Sequence, residues 1–182
     1  MRGNNLTFKN LLIYDLRLRP LDTSMPTICI TGKSRLTLER VGLLGSRTMS
    51  VFVGDARASA TLEECVMLRA ATAFYAEGGS ILLQSCRLRD MSQTCGGVTA
   101  GGSLTVTKCH FSRCRRISIY HRAVASFVEC RFEGEWLSGH RPPTPSQMPP
   151  NESACIAFYV TRGGQVITAH CGKSRLITAN CD

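Results

Sequence analysis

The stretch SLTVTKCHFSRC, residues 103–114, is echoed by VASFVECRFEG, residues 124–134. Both run apolar, polar, apolar, two further residues, Cys, basic, Phe, and Cys109 and Cys130 are 21 residues apart. Aligning the chain on this figure gives further copies in LTFKNLLI (6–13), LTLERVGL (36–43), ATLEECVM (60–67), ILLQSCRL (81–88) and VITAHCGK (166–173). The anchor residues are Leu11, Val41, Cys65, Cys86, Cys109, Cys130 and Cys171, spaced 30, 24, 21, 23, 21 and 41 apart. A second figure precedes the anchors, a short alternating segment followed by a turn, often with glycine: TICITGKSR, SVFVGDARA, TAFYAEGGS, GGVTAGGS, ISIYHRAVA and IAFYVTRGGQ.

Apolar alternation with period two marks strands, and no helical stripe of comparable strength interrupts them. Units of similar order and length repeating every 20–25 residues mark a solenoid rather than a set of hairpins. The expected fold is all-β, a right-handed parallel β-helix of about seven coils. The hand follows from the crossover rule for parallel strands. At ~4.8 Å per coil the body would be roughly 34 Å long. The whole of 1–182 reads as one domain. The widest gap holds HRPPTPSQMPPNES, whose five prolines cannot donate into a ladder, so a loop insertion is expected at about 137–153.

The anchor slot is narrow and faces inward. Free cysteine behaves as a small hydrophobe, and Val and Leu take the slot in the first coils, so Cys65, Cys86, Cys109, Cys130 and Cys171 form a structural column. Stacked parallel side chains point the same way, which disfavours disulfides and suits a reducing compartment. No run of about 18 apolar residues is present, so no membrane span is expected. The opening MRGNNLTFKN has no apolar core of the signal-peptide kind. Cys and His are adjacent at 109–110 and 170–171, but neighbours on a strand face opposite ways, and no C-x-x-C occurs; neither metal nor cofactor is expected.

Two charged constellations follow from the register. Lys9, Glu39 and Glu63 share one column, and Asn10, Arg40 and Glu64 the next. Glu39 and Glu63 would stand ~5 Å apart, close to the separation in a retaining glycosidase. Flanked by Lys9 and Arg40, they read better as a surface ion-pair ladder. A polysaccharide lyase or glycoside hydrolase using Glu39 and Glu63 is the enzymatic alternative; no catalytic residue is otherwise assigned.

The second constellation is basic. The net charge is +9, and 18 of 22 basic residues are arginine. Arg87, His110 and Arg131 fall just after the anchors, facing outward on consecutive rungs. Arg89, Arg113, Arg115, Arg116 and Arg122 lie nearby in sequence, with Lys108, Tyr120 and His121. A file of like charges repels itself unless anions answer it, and Glu129, Glu133 and Glu135 answer part of it. This ridge suits an acidic protein surface or RNA, although stacking aromatics for sequence-reading RNA recognition are sparse.

Over LTVTKCHFSRCRRISIYHRAVASFVECRFEG (104–134) the chain resembles the central part of the adenovirus early-region 1B large T antigen family. The figure carried is Cys109, Phe111, Cys114, Cys130 and Phe132. The resemblance implies a non-enzymatic viral interaction scaffold in the host nucleus and cytoplasm. It implies binding to host regulatory proteins, among them a tumour-suppressor transcription factor, with a ubiquitin-ligase adaptor role. A related capsid-surface protein is a trimeric β-helix, so a virion-associated, capsid-decorating homotrimer is the second binding role implied. The family's acidic N-terminal region and Cys/His-rich tail are not seen, and the strand figures lie close to both ends of the chain.

Overall fold

The computed structural model describes residues 4–14, 25–133, 156–169, 171 and 176–181. The insertion expected at 137–153 lies outside them. Among the described residues there is no helix. Strands stack parallel in three sheets: seven in a long sheet from Asn5–Lys9 to Gln165–Ala169, six in a short sheet from Leu12–Tyr14 to Arg131–Glu133, and seven in a third sheet from Ile28–Ile30 to Leu176–Cys181. A representative coil runs Ser80–Gln84, Arg87–Arg89, Thr94–Thr99, one strand in each sheet. The fold is a parallel β-helix. About five turns are made, fewer than the seven coils expected. The outermost strands do stack in register, but the chain between them passes through 15–24, 134–155 and 172–175, outside the described residues.

Register converts sequence spacing into columns. Leu38, Leu62, Leu83, Val106 and Phe127 stack along the inside of the long sheet. Leu43, Met67, Leu88, Phe111 and Phe132 do so in the short sheet. All are buried. Aromatic packing consolidates the later coils, with Phe111 and Phe132 stacked at 4.8 Å between centroids and Phe127 against Phe158 at 4.8 Å. Leu11 occupies the anchor slot but is exposed, as are Leu6 and Phe8, because no described rung lies beyond that end.

The anchor corner shows how the chain turns without losing its ladder. The residue before each anchor is left-handed: Asn10, Arg40, Glu64, Ser85, Lys108 and Glu129 have φ between 53° and 55°. Of these only Asn10 is a type that visits this region readily. The twist keeps the amide pointing along the axis, so Arg40 donates to the Glu63 carbonyl at 2.9 Å and Ser85 to that of Thr107 at 2.9 Å. The next amides continue the ladder, Arg87 donating to the Cys65 carbonyl and His110 to that of Cys86, both at 2.9 Å.

The thiol suits this corner. Cys65, Cys86, Cys109, Cys130 and Cys171 are free and buried. The Cys86 thiol lies 3.2 Å from the Leu62 carbonyl and 3.3 Å from that of Gln84. Cys65, one coil before Cys86, and Cys130, two coils after it, repeat the arrangement. A small apolar group with a weak donor therefore fills the slot and meets carbonyls gathered at the bend. The hydrogen bond with Cys109 and burial push the Cys86 thiol up to about 12, and burial pushes Cys130 to about 12. These thiols stay protonated, as packing residues should.

Candidate functional site

The carboxylate column forms as expected, with Lys9, Glu39 and Glu63 in register. Glu39 is held by Lys9 Nζ at 2.5 Å and by Arg40 Nη1 at 2.5 Å. Arg40 also donates through Nε to the Asn10 side chain at 2.8 Å. The hydrogen bond from Lys9 outweighs desolvation and, with the Arg40 charge adding to it, holds the Glu39 carboxyl below its ordinary range. A general acid needs the opposite shift. The geometry at Glu39 is that of an ion-pair ladder.

Arg87, His110 and Arg131 also stack in register on the outer face of the short sheet. Acids answer much of this file from within the chain. Glu133 accepts from His110 Nε2 at 2.8 Å and pairs with Arg131. These two partners, His110 first, hold the Glu133 carboxyl below its usual range. Glu129 stands 3.8 Å from Lys108. Among the described residues Arg87 has no acid partner. Glu135 lies outside them.

The remaining ridge residues divide between two corners. Arg113 and Arg115 lie where the short sheet turns into the third sheet, with Arg116 just beyond and half-buried, its carbonyl accepting from the Thr94 hydroxyl at 2.7 Å. Arg89 ends the short-sheet strand leading to the same corner. Arg122, with Tyr120 and His121, lies at the turn from the third sheet back into the long sheet, so the fold does not bring it to the ridge.

The short-to-third corner also holds Arg47 and Arg69, which the sequence motifs do not single out. Four residues past successive anchors come Gly45, Arg69, Asp90 and Arg113, all at positive φ. Their amides step from rung to rung: Arg69 donates to the Arg89 carbonyl at 3.1 Å, Asp90 to Ser112 at 3.2 Å, Arg113 to Glu133 at 3.0 Å. Ser46, Ala70, Met91 and Cys114 follow as a buried column, and Arg47, Ala71, Ser92 and Arg115 as the column after it. Arg113 grips Asp90 with a fork, Nε to Oδ1 at 2.7 Å and Nη2 to Oδ2 at 2.9 Å, while Arg89 Nε lies 3.5 Å from Oδ2. Bidentate guanidinium–carboxylate pairs are among the stronger surface contacts. Arg47, Arg69 and Arg115 have no acid partner among the described residues. The signal was the count of four past each anchor, which puts Arg69 and Arg113 on one column with Gly45.

Among the described residues no group of three His, Cys, Asp or Glu could hold a metal ion, and no helix is long and apolar enough to cross a membrane. Compared with protein-family models, with curated proteins and with solved structures, the chain matches none.

Proposed function

We propose that the chain is a non-catalytic viral interaction scaffold that engages acidic surfaces of host regulatory proteins. Its contact face is the outer short sheet together with the corner that follows it. The observation that carries this reading is the column Arg87, His110 and Arg131 on consecutive rungs, with Arg113 and Arg115 at the corner beside it: internal acids hold His110, Arg131 and Arg113, while Arg87 and Arg115 have no acid partner among the described residues. The paired residues are fixed in place, and the unpaired arginines beside them present charge on a rigid frame spaced by the rung repeat. Such a frame favours fast, salt-sensitive association with an anionic partner. The figure shared with the adenovirus early-region large T antigen family over 104–134 supports a viral role in host nucleus and cytoplasm, with a tumour-suppressor factor or ubiquitin-ligase subunits as the partners to seek.

The test is capture from host nuclear and cytosolic extract, with bound proteins identified by mass spectrometry, comparing the wild type with Arg87→Ala/Arg115→Ala. Retention of discrete host regulators by the wild type and their loss in the variant supports the reading. Capture indifferent to the variant, or retention of RNA alone after nuclease controls, overturns it.

A further inference from the structure

A cleft of about 380 Å³ opens at the short-to-third corner. Its floor is small because Gly45 has no side chain where later rungs carry Arg69, Asp90 and Arg113, and because Ala70 and Ala71 follow. Arg47 and Arg69, both exposed, line it together with Ser92 and Asp90. The Asp90 carboxylate is already taken by the Arg113 fork, so it does not neutralise the other two guanidiniums. Arg69 also keeps a left-handed backbone, φ 54°, at a column position where Gly45 sits without strain. Two forks lining one small-residue cleft suit an oxyanion, since each guanidinium offers parallel donors in a plane.

We propose that this cleft seats an anionic side chain of an acidic peptide segment, a carboxylate or a phosphoryl group, clamped between Arg47 and Arg69. The volume exceeds what a lone oxyanion fills and falls in the range of pockets that take larger groups. Flanking residues of the peptide lie along the Arg89 and Arg115 rungs. The lining contains no aromatic ring on which a base would stack, which favours peptide over RNA. The inference rests on the scaffold reading of the same corner and adds its ligand class and the residues that grip it.

The experiment is fluorescence anisotropy on the full chain with a short labelled peptide rich in Asp and Glu, its phosphoserine counterpart, and an Asn/Gln counterpart. Four proteins are compared: wild type, Arg47→Ala/Arg69→Ala, Arg69→Gly and Arg87→Ala/Arg115→Ala. The acidic peptides bind, the neutral one does not, and the Arg47/Arg69 double variant weakens binding by roughly tenfold or more. Arg69→Gly relaxes the turn, so it melts no lower than wild type yet still weakens binding; this separates lost contact from lost fold. The tighter of the carboxylate and phosphoserine peptides identifies the source of the anion. If both cleft variants bind like wild type while Arg87→Ala/Arg115→Ala loses affinity, the cleft assignment fails and the scaffold reading stands. If no acidic peptide binds, or none of the variants matters, both fail. An RNA oligonucleotide that displaces the peptide at equal or lower concentration overturns the peptide assignment.

Discussion

Gly96→Ala isolates the packing that sets the third sheet. Gly96 stacks between Phe74 and Ile117 on the inner face, and a Cβ there would lie 2.3 Å from Phe74 Cε2 and Cζ. Ordinary carbon contacts are about 3.5–4.0 Å, so ring or backbone must move by more than an ångström. Phe74 is fully buried, with Val51 against its other side, and has little room to retreat. Gly96 is not among the residues at positive φ, so alanine carries no conformational penalty and gains a few tenths of a kcal/mol or more from a stiffer unfolded chain. Overpacking typically costs about 1–3 kcal/mol, leaving a net loss of about 1–2 kcal/mol. Phe74→Leu alone should lose about as much through the space it vacates. Together the two should lose distinctly less than their sum, with a coupling of about 1–2 kcal/mol, because the new methyl enters the vacated volume. Equilibrium urea denaturation of the four proteins measures this, with the slope checked for loss of cooperativity as repeat arrays require. Strict additivity, or a Gly96→Ala chain as stable as wild type, would refute the account.

Two further expectations concern the thiols and the acids. At mildly alkaline pH an alkylating reagent should label exposed Cys29 quickly, while Cys65, Cys86, Cys95, Cys109, Cys114, Cys130 and Cys171 react only on unfolding, read by peptide mapping; fast labelling of Cys86 in the native chain contradicts its packing role. Glu39 and Glu133 have folded pKa values below their unfolded ones, so the stability they add is fully present above about pH 5 and is lost as pH falls below about 4.3 through the folded values. Glu133→Gln should flatten that acid limb in denaturation midpoints, and an equally steep fall in the variant would remove Glu133 from the cause.

Parallel stacking made much of the fold readable, because with one rung per beat a spacing becomes an adjacency. Lys9–Glu39–Glu63 and Arg87–His110–Arg131 were placed by counting from the anchors, and both columns exist. The short sheet was harder, since strands of three residues such as Arg87–Arg89 carry too few alternations to stand out. Gly96 and Gly97 open the strand figure GGVTAGGS and do lie within the strand Thr94–Thr99, where the rings of Phe74 and Tyr75 on the neighbouring rung occupy the space their side chains would need. The cleft was hidden by the residue types at its turn. Of the four residues on the Gly45 column only one is glycine, so its left-handed turn was masked by Arg69, Asp90 and Arg113.

That masking links the fold to the site. Inside the coil, each rung must fit the rung on either side, and Leu, Phe and Cys columns leave little freedom. At the corners the ladder asks only for a left-handed backbone, and its amide-to-carbonyl bonds hold whatever side chain is present. Arg40, Arg69, Lys108, Arg113 and Arg122 all accept that conformation although glycine or asparagine would take it with less strain. At roughly 1–2 kcal/mol for each such residue, the helix tolerates a set of charged corners that local preference alone would not select. Arg113 recovers part of this through its fork on Asp90, a pair between two left-handed residues on adjacent rungs. Arg69 has no such compensation among the described residues, and it is Arg69 that lines the cleft. Strain retained without an internal partner, beside a positive concavity, is the arrangement expected when the missing partner arrives from another molecule.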